Sequence, residues 1–494
     1  MFAASALVGT LAVVAVYFAT RPIFGRMAGI LAAFFMATSY WQVTISRTGF
    51  RAGMIPLCVA AFTAFAAYAV WTVGHKEKGL SYVFAALSGV AFSLGFYTYI
   101  AYRMMPFVLL AMLLLLVIAS FHPKIGFPHV RRYGWQALVA FLAAVITLVP
   151  MMWYFGHHPE AFIGRAGQVS IFSPDLQRHY GGGTLAGTLW YSTQETVQSF
   201  FVGHGDLNVR HSVPGRPLLN PLVSFLFLMG IVWAVAGCFQ MVKRMLAGKE
   251  VHLTFAHAYF VMLLVAMLVP VVTTAEGMPH ALRSEGVVVP VFILAGMAGA
   301  VIVHAILQRV KQGPWRGAAL GAVAGLLIVS GLYDGAAYFL LARNDAQAYY
   351  EYRGDLTPVS AWLNEYHTDN PNKRRPYLVL DEFSVQTVHF LTHVTDSGEP
   401  DVESAHDFRD HPDEAQHKYV LLDPATSHLT ALGAEDVIVF TQSTLPDADR
   451  YVEKYTGQLE VVTEVKNRFG QEVMRVYRLR PGIAPSVDEA DLDA

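Results

Sequence analysis

Ten apolar stretches of bilayer-crossing length run through the first 341 residues, and polar segments of two alternating kinds separate them. The stretches are 2–20, 27–45, 54–74, 80–98, 104–120, 135–155, 222–241, 253–274, 287–305 and 317–341. About 20 apolar residues match a hydrocarbon core of roughly 30 Å. Lipid cannot satisfy free backbone groups, so each stretch is expected as a helix. Their ends carry aromatic residues such as Trp41, Trp71, Tyr97, Tyr102, Trp153 and Trp315, where amphipathic rings suit the interface.

One set of connections is short and basic: Arg21–Arg26, His75–Gly79, Phe121–Gly134, Val242–His252 and Gln308–Arg316. Sorting by positive charge places these loops in the cytoplasm. The other set is poor in charge, yet its short members Ser46–Gly53, Tyr97–Met105 and Ala275–Gly286 each hold arginine beside aromatic, His or Glu residues. Arg47, Arg51, Arg103 and Arg283 therefore stand on the side where the sorting rule does not ask for them, and anion binding at the outer face would explain them. Snorkelling to the interface is the plainer alternative for Arg47 and Arg51. A helix-end anchor beside Tyr99 and Tyr102 is the alternative for Arg103. His280 and Arg283 with Glu276 and Glu285 could instead form an internal salt-bridge cluster.

One outside loop, residues 156–221, is long. Within it Leu185–Val202 is mildly amphipathic and is expected to lie on the membrane, with Leu185, Leu189, Thr193, Val197 and Phe201 on one face. The segment after it is dense in titratable groups, with His204, Asp206, Arg210 and His211, and is either a hydrogen-bonded loop or part of a site. Its spacing matches no strong metal-ligand pattern, so no cofactor is expected, and a divalent metal at these residues is the lesser alternative.

From about Arg343 the pattern changes to short apolar runs with regular turns. Strands are predicted at Pro376–Leu380, Lys418–Leu422, Asp436–Thr441, Leu459–Lys466 and Glu472–Leu479, and helices at Leu356–Tyr366, Ser384–His393, Pro424–Leu432 and Asp447–Tyr455. The expected fold class is thus a polytopic α-helical membrane protein. Residues 1–341 form its bundle, 342–482 a small α/β domain outside the cytoplasm, and 483–494 an acidic, disordered tail.

Composition narrows the function classes. Of 494 residues, 54% are hydrophobic and 15% charged, and the net charge is −2, so a basic nucleic-acid-binding surface is not indicated. Cys58 and Cys238 both fall inside apolar spans and cannot build a disulfide framework or metal cluster. The first apolar run has no basic leader and is not expected to be a cleaved signal. Ionisable residues are scarce at the span centres, which speaks against a transporter path.

The segment Ala4–Leu57 resembles the early membrane region of the GT-C glycosyltransferases, closest to the branch of the protein O-mannosyltransferases and the lipid A aminoarabinose transferase. The matching residues are Arg21, Phe24, Gly25, Ala28 and Gly29, then Ser39, Trp41, Ser46 and Arg47, with Tyr40 where that branch has proline. Gly95–Phe107 and Pro279–Pro290 resemble later outside turns of bacterial members. The resemblance covers roughly residues 1–340. It implies an inverting transferase of the cytoplasmic membrane that takes a sugar from a polyprenyl-phosphate donor to a protein, lipid or glycan acceptor. Arg47, Arg51, Arg103 and Arg283 would then hold the phosphate, with Tyr97, Tyr99, His204, Arg210, His211 and His280 near the site. In that family the base is a carboxylate in the first outside loop, directly after the first span. Counting from the basic loops places Met1 outside, so a further span is expected either to precede Met1 or to have been lost. The family's base is not carried onto any residue here; Asp206, Glu276 and Glu285 are the outside carboxylates near spans. A non-catalytic scaffold of the same fold is the alternative.

Overall fold

The computed structural model describes residues 2–75, 77–122, 128–159, 170–249, 252–274, 277–310, 314–369, 375–397, 418–424, 427, 432–433, 436–455 and 457–480. The acidic tail 483–494 and most of the helix expected at Pro424–Leu432 lie outside them. The chain divides into two compact units, Met1–Arg343 and Asn344–Ala494.

The first unit is a helical membrane bundle. Its helices are α1 (Phe2–Phe24), α2 (Arg26–Thr38), α3 (Tyr40–Thr48), α4 (Ile55–Gly74), α5 (Lys78–Leu94), α6 (Met105–Ser120), α7 (Pro128–His157), α8 (Pro174–Tyr180), α9 (Leu185–Phe201), α10 (Pro221–Leu246), α11 (His252–Val272), α12 (Val288–Arg309) and α13 (Pro314–Ala336). Among the described residues nine helices are long and apolar enough to cross a membrane, and α2 with α3 makes a tenth if that pair is one span. The second span is therefore not the straight helix 27–45 expected from its apolar run. At Ser39, whose backbone is non-helical (φ −59°, ψ 121°), the axis turns by 60°. The side chain of Ser39 makes no capping bond, so the turn is held by packing: Phe35, Met36, Tyr40 and Trp41 on either side are fully buried.

Helix α12 is the axis of the bundle, with 83% of its most apolar window buried. It packs on α2 and α10 through small residues. A Cβ at Gly296 would fall 2.6 Å from the Ala32 backbone nitrogen, and one at Gly230 would fall 2.4 Å from the Leu294 carbonyl oxygen. In lipid, where burial of apolar surface gives helices no reason to associate, such backbone approach is the main source of packing energy.

Helix α9 forms where an interfacial helix was expected. Thr184 caps it by accepting a hydrogen bond from the Gly187 N–H at 3.1 Å. Its buried side is the stripe Thr188, Ser192, Thr196 and Ser199 with Phe200, while Leu185, Leu189 and Val197 point outward. Short hydroxyl side chains can bond to backbone carbonyls, as Ser192 does to Thr274 at 3.2 Å, and so turn inward; the apolar side is left for lipid.

The second unit is a small α/β domain. Strands β1 (Tyr377–Val379), β2 (Val420–Leu422), β3 (Val437–Thr441), β4 (Leu459–Lys466) and β5 (Glu472–Leu479) form one sheet in the order β2-β1-β3-β5-β4. The pairs of β1 are parallel, and those of β5 antiparallel. Period-2 alternation splits the core in two. Leu378, Val437, Val439, Met474 and Val476 meet helices Leu356–Asp369 and Glu382–Ser397 on one face, and Val379, Ile438, Phe440 and Tyr477 meet helix Leu445–Lys454 on the other. Arg353 and Asp355 precede the first of these helices. Asp355 is fully buried, with the Arg353 guanidinium 3.4 Å away.

Candidate functional site

Two connections that are far apart in sequence meet through one carboxylate. Asp206 lies in the polar loop after α9 and is nearly inaccessible. Its Oδ1 accepts from the Asn208 N–H at 2.8 Å, a local turn that fixes the loop. Its Oδ2 accepts from the Ala281 N–H at 2.7 Å and pairs with His211 Nδ1 at 3.0 Å. His280 Nδ1 stands 3.8 Å from the same oxygen and has no hydrogen-bond partner among the described residues. The two imidazoles stack with centroids 5.0 Å apart, and the Phe50 ring meets His211 edge-on at 5.1 Å. Asp206, His211 and His280 thus present three ligand-type atoms within 4.8 Å of one another. Burial above all, then the charge of Arg283 and His211, pushes the His280 pKa down to about 3. A backbone hydrogen bond of His280 acts in the opposite sense and is the smallest of these effects. At neutral pH His280 is therefore a neutral ring with a free nitrogen.

Three of the expected arginines sit on elements that pack together. Arg51 opens the 3₁₀ turn Arg51–Met54, Arg103 lies in the turn Ile100–Met104, and Arg283 opens the turn Arg283–Val287. The third turn packs against both of the others. Arg283 acts electrostatically on His280, and Phe50 places Arg51 one residue from the ring that covers His211. Arg103 lies over the Phe155 ring at 5.8 Å. Arg47 has a different neighbourhood: its Nη1 donates to the Tyr338 hydroxyl at 3.0 Å, and its guanidinium lies over that ring.

The remaining expected residues are dispersed. His204 is exposed in the loop, and Arg210 Nε donates to Asn208 Oδ1 at 3.3 Å. The Tyr97 hydroxyl donates to the Thr147 carbonyl at 2.7 Å, and Tyr99 is half-buried. Glu285 is fully buried, and neither carboxylate oxygen has a hydrogen-bond partner among the described residues. Glu276 lies outside the described residues.

Sequence reasoning missed a second polar group toward the C-terminal end of the last span. Asn220 caps α10 by accepting from the Val223 N–H at 2.9 Å, and its Nδ2 donates to Asp334 Oδ2 at 2.7 Å and to Ser330 Oγ at 3.1 Å. Arg216 Nη1 donates to the Tyr333 hydroxyl at 2.6 Å, and the Tyr40 hydroxyl donates to the Pro217 carbonyl. The signal was the acid in an otherwise apolar helix: an ionisable residue in a span marks a site or a partner.

The family model described as oligosaccharyl transferase STT3, N-terminal, matches residues 1–313. No curated protein matches the chain. Among solved structures, the chain is similar to the oligosaccharyltransferase AglB of Archaeoglobus fulgidus in complex with an inhibitory peptide and a dolichol-phosphate. The identity is 12% over 98% of this chain and 64% of that one, with a TM-score of 0.42. It is similar to the Archaeoglobus fulgidus enzyme in complex with Zn and sulfate at 14% identity over 96% of this chain and 60% of that one, TM-score 0.41. It is similar to ArnT of Cupriavidus metallidurans bound to undecaprenyl phosphate at 12% identity over 96% of this chain and 83% of that one, TM-score 0.45. The chain spans less than two thirds of both archaeal enzymes.

Proposed function

The chain belongs to the oligosaccharyl transferase STT3 family of GT-C glycosyltransferases, and from that premise we propose that it moves a sugar from a polyprenyl-phosphate donor to a protein, lipid or glycan acceptor, with inversion, at the outer face of the cytoplasmic membrane. The observation that carries the reading is the packing of three arginine-bearing turns, Arg51–Met54, Ile100–Met104 and Arg283–Val287, beside the Asp206–His211–His280 group. Inverting transfer from a lipid phosphate needs stabilisation of the charge that grows on the departing phosphate, and guanidinium groups supply it by charge-assisted hydrogen bonds. Arg51, Arg103 and Arg283 take that role. Dolichol-phosphate and undecaprenyl phosphate in two of the similar structures agree with such a ligand. The basic loops stay in the cytoplasm, so the domain after Arg343 is extracytoplasmic.

Asp206, His211 and His280 have the donor set for a divalent ion such as zinc: one carboxylate and two imidazoles, with the His280 Nδ1 unspent. When bound, the ion would supply positive charge beside the phosphate. Without reference to it, Asp206 binds the two loops together and so holds His280 and Arg283 in place. Of the three candidate carboxylates near spans, the two that are described, Asp206 and Glu285, are buried, and this favours a second reading, a non-catalytic scaffold that binds the lipid phosphate. Transfer of radiolabelled sugar from a synthetic polyprenyl-phosphate donor by the reconstituted chain separates the two. Turnover that falls in Arg51→Gln, Arg103→Gln and Arg283→Gln supports the transferase, and binding of the donor without turnover supports the scaffold.

A further inference from the structure

A cavity of about 570 Å³ opens at the opposite end of the bundle from the candidate site. Its mouth is polar: Arg26 at the start of α2, His257 near the start of α11, and His304 and Gln308 on the last turns of α12. Its inner wall is apolar, with Trp233, Met297 and Val301 from the middle of α10 and α12. None of the described residues that line it is acidic. The α1–α2 turn that forms one lip carries Arg21 as well as Arg26, and Lys243, Arg244 and Arg309 end the helices on this side. Arg26, Lys243, Arg244 and Arg309 are exposed.

We propose that this cavity is a binding site for an anionic phospholipid of the inner leaflet, with its phosphate at Arg26 and an acyl chain against Trp233, Met297 and Val301. Three features select this occupant. A cationic rim at the end of the bundle that carries the basic loops faces the leaflet surface where anionic headgroups lie. The change from polar mouth to apolar interior along the helix axes matches the change from headgroup to chain. A soluble anion would use the rim and leave the apolar wall wet, and a transmembrane helix of a partner would not need the charge. His304 Nε2 and Gln308 Nε2 are 2.8 Å apart, which ties these two rim side chains together, and Arg26 is an exposed cation lining the same cavity. The site is remote in the fold from the arginines proposed to hold the donor, so its occupancy does not depend on that proposal.

The test uses the full chain purified in detergent. Native mass spectrometry reads the lipids that stay bound, and the unfolding midpoint is followed on addition of phosphatidylglycerol, phosphatidylcholine or inorganic phosphate. Phosphatidylglycerol is expected to be retained and to raise the midpoint, with phosphatidylcholine and phosphate having little effect. Arg26→Gln should weaken retention roughly five-fold, the factor that one arginine contributes at an anionic surface. Val301→Trp, which fills the apolar wall and leaves the rim intact, should weaken it as well. Equal retention of the two lipids, a shift with phosphate alone, or retention of phosphatidylglycerol unchanged in both variants would overturn the proposal.

Discussion

Replacing Asp206 with alanine tests whether one carboxylate joins the two loops of the candidate site. The substitution removes the acceptor for the Ala281 N–H, the Asn208 N–H and His211 Nδ1, at 2.7, 2.8 and 3.0 Å. Ala281 is fully buried, so water cannot replace the lost partner, whereas Asn208 is half-buried and is partly compensated. An unsatisfied buried N–H costs about 1–3 kcal/mol, and a bond to a charged acceptor is worth about 1.5–3 kcal/mol. The bonds are not independent, so the expected loss is about 3–5 kcal/mol, at the upper end for a single substitution. Asp206→Asn keeps the shape and one acceptor oxygen but offers N–H where an acceptor is needed, so its loss is intermediate. The assay is thermal unfolding of the purified full chain followed by a thiol-reactive dye. Cys58 and Cys238 are free and partly buried in the bundle, and they report its opening. A midpoint of Asp206→Ala equal to wild type, or above that of Asp206→Asn, would refute the reasoning.

Gly230→Val places a side chain within 2.4 Å of the Leu294 carbonyl oxygen, and the separation of α10 from α12 should cost at least about 1–3 kcal/mol, read as a lower unfolding midpoint. Burial raises the Asp355 carboxyl to about 6 despite the opposing charge of Arg353. Because the folded value lies above the unfolded one, near 3.9, its contribution to stability is full below about pH 3.9 and is lost as pH rises through about 6. Hydrogen exchange of β1 and β3 in the full chain should therefore show weaker protection at pH 7 than at pH 5, and Asp355→Asn should flatten that difference. A single cysteine at Lys249, in a background without Cys58 and Cys238, should resist an impermeant thiol reagent in intact cells and react after lysis; labelling in intact cells would invert the topology.

The spans were legible in the sequence because length and hydropathy alone specify a crossing helix, and the strands at Leu459–Lys466 and Glu472–Leu479 because their alternation is bounded by the turn at Asn467–Gly470. The bend at Ser39 was not legible. A serine in an apolar run carries no breaking signal, and the bend is set by the packing of Phe35, Met36, Tyr40 and Trp41. The density of titratable groups marked the loop of Asp206 and His211, but no local pattern joins it to His280, because the link is a tertiary contact with the Ala281 backbone. The place of Arg47 at a span end likens it to the other arginines, whereas its partner Tyr338 cannot be read from spacing. Asp334 is one acid in a hydrophobic helix, and its need for a partner is the clue that the sequence offers.

The central claim is that the arginine-bearing turns recognise a lipid phosphate. The most direct measurement is binding of a polyprenyl phosphate and of the matching polyprenol, which lacks the phosphate, to the full chain in nanodiscs, by competition with a labelled donor. The phosphate form is expected to compete far better than the alcohol, and Arg283→Gln to remove most of that difference while leaving binding of the alcohol unchanged. Equal competition by the two lipids, or a preference for the phosphate that survives in Arg51→Gln, Arg103→Gln and Arg283→Gln alike, would contradict it.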